Sequence, residues 1–260
     1  MLVPRNFGAV LCWGLLLGGC ATSLLAGVAR AQGGPPLVTD DPGTPGPGHW
    51  EINIATTYTA AGSAWTTELP LIDANYGVGQ TVQLKIETPW LIDHPADARS
   101  QTGSGNMLLG VKWRFLDQGE EGFAVSTYPQ VAVQPPGSPS YRRGMVEATP
   151  ALLLPLEVTH RLGPVALNAE AGAETVRRGG TTLFYGLAMG HPLTTRVELV
   201  GEFHGSSTLS FGDEASLFNI GGRVTLTPHC LLLLSGGHTL HASAATPGGL
   251  LAYTALQLQL

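Results

Sequence analysis

Two histidine and serine pairs carry the most reactive chemistry that the residue types offer. His204-Gly205-Ser206 and His241-Ala242-Ser243 each place imidazole and hydroxyl two residues apart, so on a β-strand both side chains share one face. A histidine placed in this way could deprotonate the serine for attack on an ester. The reaction also needs an acid to orient the imidazole and donors for the oxyanion, and the neighbouring residues supply neither. Other reactive patterns are weaker still. His94, His160, His191, His229 and His238 lack the ligand spacing of a zinc site. Asp40 and Asp41 are adjacent acids in a Pro/Gly-rich stretch, expected to be solvated rather than to bind a metal. No glycine run has the strand-to-helix setting of a phosphate loop. The sequence thus implies no cofactor and no metal, and catalysis is its minor reading.

The charges follow a second pattern, which belongs to strands. From Thr81 to Glu87, Val82, Leu84 and Ile86 alternate with Gln83, Lys85 and Glu87, a period of two. Met107, Leu109, Val111, Trp113 and Phe115 likewise oppose Lys112 and Arg114. Collected over the chain, the polar faces present Glu51, Asp73, Lys85, Glu87, Lys112, Arg114, Glu170, Glu174, Glu198, Glu202 and Arg223. So many charges turned into one dry core would be prohibitive, whereas a wet or salt-bridged lumen tolerates them. The acids are expected to pair chiefly with Lys112, Arg114 and Arg223.

Composition points the same way. Charged residues make up 12% of the 260, well under the usual quarter, and 35 glycines and 43% hydrophobic residues accompany them. Beyond residue 32, no uncharged apolar run reaches the roughly 20 residues that a membrane helix needs. Apolar content without helical spans is what alternating membrane strands produce.

The first 31 residues read as a secretory signal: Arg5, an uncharged stretch from Asn6 to Ala29, and Ala29-Arg30-Ala31 as the cleavage site. Leu17-Gly18-Gly19-Cys20 offers a lipidation site as an alternative, and an uncut anchor is a second one. Each reading exports the chain. Without the signal Cys230 is the one remaining cysteine, so no disulfide framework exists. Removing Arg5 and Arg30 leaves 11 basic residues against 19 acidic, a net of −8, with no basic patch for nucleic acid.

Residues 32–48 form a Pro/Gly-rich segment, expected as an extended piece or a small plug. Residues 49–260 then read as about twelve strands, with longer loops alternating with tight turns. Gly77 to Gln80 is one tight turn, and Asp93 to Gly105 is the long loop that follows the next strand. The expected fold is an all-β, up-and-down antiparallel transmembrane barrel of about twelve strands, whose closure leaves no unpaired edge in lipid. Trp50, Tyr76, Phe115 and Phe123 would then share the tight-turn rim as an aromatic girdle.

Three stretches carry a resemblance: VTDDPGTPGPGHWEIN after the signal, ELPLIDANYGVGQTVQLKIETPWL, and GNMLLGVKWRF before an acidic turn. They resemble the outer-membrane transporter family labelled with the meta-pathway of phenol degradation. The resemblance covers most of the mature chain and is clearest from Val38 to Phe115. It implies a Gram-negative outer-membrane barrel that passes small, aromatic or hydrophobic compounds, and it supplies no ligand residues. A non-conducting interaction barrel is the alternative, and an outer-membrane lipid hydrolase using a His/Ser pair is a weaker one. Membrane lipids and lipopolysaccharide are the expected partners, with the loop pairs Arg142-Arg143 and Arg177-Arg178 facing phosphates.

Overall fold

The computed structural model describes residues 33–119, 122–147, 149–177, 179–211, 213–242 and 248–260. The expected signal peptide, Cys20, Gln32, Arg178 and Ser243 lie outside them. Twelve antiparallel strands close into a barrel, and no described residue is helical. They are β1 (Trp50–Ala61), β2 (Ala64–Val78), β3 (Val82–His94), β4 (Gln101–Ser104 continued by Met107–Asp117) and β5 (Phe123–Thr127 continued by Gln130–Val133). The remainder are β6 (Ala151–Leu162), β7 (Val165–Val176), β8 (Thr181–Pro192), β9 (Val197–Thr208), β10 (Glu214–Thr227), β11 (Cys230–His241) and β12 (Leu250–Gln259).

Each strand pairs with its sequence neighbours, and β1 pairs with β12 from Glu51↔Gln259 to Ala60↔Leu250. The seam is completed at the rim, where Trp50 N donates to the Leu260 carbonyl at 2.8 Å and Leu260 N donates back at 2.9 Å. Leu260 therefore completes the closure through its backbone.

Two strands are broken by local chemistry. Pro129 has no N–H, so β5 is interrupted there, and Val111 N turns to the Pro129 carbonyl at 3.0 Å while Tyr128 is fully buried inside. In β4 the break falls at Gly105, where a Cβ would stand 2.4 Å from the Pro89 ring.

The turns at one rim are short, at 79–81, 118–122, 163–164, 193–196 and 228–229. The other rim carries the longer loops, of which 134–150 is the longest. The exception there is the connection from Thr59 to Thr66, which is strand almost throughout, with only Gly62 and Ser63 as the turn, because Gly62 takes a positive φ of 62°.

Alternation separates two environments. Leu84, Ile86, Leu154, Leu187, Met189 and Ile220 stand exposed on the outer face, a surface that suits lipid and not water. Trp50, Phe115 and Phe123 are exposed on the outer surface at the short-turn rim, with Tyr76 4.8 Å from Trp50 and His160 stacked 4.4 Å from Phe123.

Candidate functional site: the occupied lumen

The segment that precedes β1 lies inside the barrel. Residues 33–42 and 44–46 are buried, so the prolines and glycines of this stretch build a plug. Asp40 and Asp41 are buried with it, which corrects the expectation that they are solvated. A turn closes the first part, with Gly34 N donating to Thr39 O at 2.8 Å and Leu37 N to Gly34 O at 3.0 Å. Gly34 adopts a φ of 71°, which suits glycine.

The wall holds this plug mainly through its backbone. The Glu202 carboxylate of β9 accepts Val38 N and Thr39 N, both at 2.7 Å, and Glu170 of β7 accepts Asp40 N at 3.1 Å. Arg223 of β10 donates to the carbonyls of Gly33, Gly34 and Pro35 at 2.7, 3.0 and 2.8 Å, while Glu198 faces its guanidinium at 3.1 Å. Ser235 of β11 donates to the Pro36 carbonyl at 2.6 Å. Lys112, fully buried in β4, binds Asp40 at 3.0 Å, Glu157 at 3.2 Å and the Asp41 carbonyl. Buried donors and acceptors need such partners, since each one left unpaired costs about 1–3 kcal/mol.

Shape complements charge. Gly186 of β8 lies beneath Thr39, whose Oγ1 would be 2.1 Å from any Cβ placed there. Leu37 packs with Ala188 and Val200, and Val38 joins Ala55, Leu71, Leu217, Leu233, Leu251 and Tyr253 in one apolar cluster. An apolar wall built from β1, β2 and β10–β12 thus meets the plug, although the same strands also turn Glu51, Asp73 and Arg223 inward, and further acids come from β6, β7 and β9.

The predicted inward residues fall into three groups. Lys112, Glu170, Glu202 and Arg223 grip the plug, and Glu198 faces Arg223. Lys85, Asp73 and Glu87 form a wall triad, with Lys85 2.6 Å from Glu87 and 3.6 Å from Asp73. Glu51 and Glu174 are buried outside those sets, and neither oxygen of Glu51 has a hydrogen-bond partner. Arg114 keeps the inward face, opposite buried Ser126, but stands at the short-turn rim, where it pairs with Asp117 at 3.3 Å and donates to the Gln80 carbonyl at 2.7 Å.

Sequence reasoning missed Glu157 and Tyr128. Ser126 donates to Glu157 at 2.5 Å, and Tyr128 lies between Gln83 and Lys112. Glu157 follows the alternation of β6 and was legible as an inward residue. Tyr128 was legible in the same way, since Ser126, Tyr128, Gln130 and Ala132 alternate inward straight through Pro129. Of the two His/Ser pairs, His204 and Ser206 lie on the lumen side of β9 with the His204 ring stacked 6.5 Å from Phe184. His241 ends β11, and its partner serine is outside the described residues.

No protein-family model and no curated protein sequence matches this chain. Solved structures do. The chain is similar to the porin NanC at 6% identity, over 80% of this chain and 100% of that one, with a TM-score of 0.59. An outer membrane channel from Pseudomonas putida F1 aligns at 12% identity over 82% of this chain and 96% of that one, with a TM-score of 0.61. The KdgM porin aligns at 8% identity, over 79% and 98%, with a TM-score of 0.55. At these identities the likeness is one of fold, that of outer-membrane barrels.

Proposed function

We propose that this protein is a channel of the Gram-negative outer membrane, closed in this structure by its own residues 33–46 and open to small solutes when they move. The observation that carries the reading is a lipid-compatible barrel whose polar lumen is filled by a segment that the wall holds through noncovalent contacts. The solved barrels of like fold include porins and an outer membrane channel, which supports the same reading. The lumen's apolar wall would favour small aromatic or hydrophobic compounds, as the family resemblance suggests. On this reading the short-turn rim faces the periplasm and the N-terminal signal exports the chain. The exposed Arg142 of loop 134–150 would then meet lipopolysaccharide phosphates.

The plug itself favours a second reading, a barrel that never conducts. Planar-bilayer recordings of the refolded mature protein and of a variant lacking residues 33–46 decide between them. Stepwise conductance that rises on deletion supports the gated channel. Silence from both, with heat-modifiable gel migration confirming folded barrels, leaves the non-conducting one.

A further inference from the structure

Val38 presents two kinds of chemistry to the wall at once. Its N–H sits on the Glu202 carboxylate at 2.7 Å, while its side chain is buried in the cluster with Leu71, Leu217, Leu233 and Leu251. The lumen at this level accepts a hydrogen-bond donor on one side and an apolar body on the other. Building on the channel reading above, we propose that the vacated lumen binds small organic cations, an ammonium on an apolar or aromatic body, and that these compete with the plug for Glu202 and Glu170.

A cation follows from what the plug would leave behind. When residues 38–40 depart, Glu202 loses two N–H donors and Glu170 loses one. Asn219 still donates to Glu202 at 3.0 Å, but an amide brings no charge. Lys112 and Arg223 also lose plug partners, but each wall base keeps an acid of its own: Lys112 keeps Glu157, Arg223 keeps Glu198, and Lys85 keeps Asp73 and Glu87. With the plug gone, Glu170 has lost its plug donor and Glu202 keeps only the Asn219 amide, and carboxylates so placed in a narrow lumen favour any cation that reaches them.

The two acids are close enough to act together. Glu170 pairs across the sheet with Gly186, and Glu202 pairs with Ala188, two residues further along the same strand. Three successive amides of the plug reach both acids. Glu51 adds an independent pointer. It is buried on the inner wall, it lies within electrostatic reach of Asp41 and Asp73, and both its oxygens lack a hydrogen-bond partner even with the plug in place. Among the described residues no three such side chains converge on a metal ion. The acids stand on separate strands around the lumen and do not converge as metal ligands would.

The probes are phenethylammonium, its neutral analogue 2-phenylethanol and the anion phenylacetate. Calorimetric titration of the variant lacking residues 33–46 should show phenethylammonium binding at least tenfold more tightly than to the intact protein and tenfold more tightly than either analogue. Adding E170Q and E202Q should remove most of that preference. Equal binding of the three probes, stronger binding of phenylacetate, or indifference to the Glu→Gln changes would overturn the proposal. Full-length Gly186→Val, in which Thr39 is displaced, repeats the comparison if the deletion variant does not fold. Bilayer recordings separate the two claims. Binding without conductance refutes the channel and keeps the site, whereas conductance without cation preference refutes the site and keeps the channel.

Discussion

Gly77 of β2 lies so close to Gly46 of the plug that a Cβ on Gly77 would stand 1.7 Å from the Gly46 carbonyl oxygen. Backbone atoms on both sides leave no flexible end to give way. The contact also joins the plug to the rim, since Gly48 N donates to the Gly77 carbonyl at 2.9 Å. Gly77→Ala should therefore unseat the plug where it enters the lumen. On the proposed channel reading, the expected outcome is a rise of about tenfold or more in open probability, since displacement by only about 1.4 kcal/mol changes an equilibrium tenfold. An unchanged conductance with normal folding would refute this role for the contact.

Lys112 holds Asp40 and Glu157 together in the lumen. Lys112→Met leaves both acids without their cation, and breaking a buried pair in this way costs about 3–5 kcal/mol. Urea unfolding in vesicles should show a loss of that order. A triple variant that adds Asp40→Asn and Glu157→Gln removes the orphaned charges and should regain most of it.

Leu187 is 62% exposed near the middle of β8 and points away from the lumen. If that face meets lipid, Leu187→Arg should cost about 2–4 kcal/mol, as expected of Arg near a bilayer midplane. The same change on a water-facing strand would be close to neutral. Folding stability measured in vesicles therefore tests the membrane placement directly.

Glu147, in the loop between β5 and β6, lies outside the membrane-spanning strands, and burial raises its pKa above the ordinary 4.5. A carboxyl raised on folding favours the packed loop fully below its unfolded pKa, and that contribution is lost as pH rises through the folded value. Hydrogen exchange of amides 140–147 should thus show protection that falls with rising pH relative to Glu147→Gln. Parallel profiles for the two proteins would contradict it.

Much of this architecture could be read from residue order. Period-two alternation placed Lys85, Glu87, Lys112 and Glu202 inside and Leu84, Ile86 and Val111 outside, because a pleated strand sends neighbouring side chains to opposite faces. Tight turns and long loops gave the strand count for the same local reason. Alternation also put Arg114 on the inner face, opposite Ser126, but its rim contact with Gln80 depends on which strand lies beside it, and no local pattern announces that.

The sequence by itself determined the barrel, through alternation, glycine turns and scarcity of charge, all of which act between residues close in the chain. Only the tertiary structure decided that residues 33–46 fill the lumen and that Glu202 and Lys112 hold them. Those contacts span 71 to 164 residues. They exist because closing β1 onto β12 brings distant strands around one interior, where buried polar groups must find partners wherever the chain offers them.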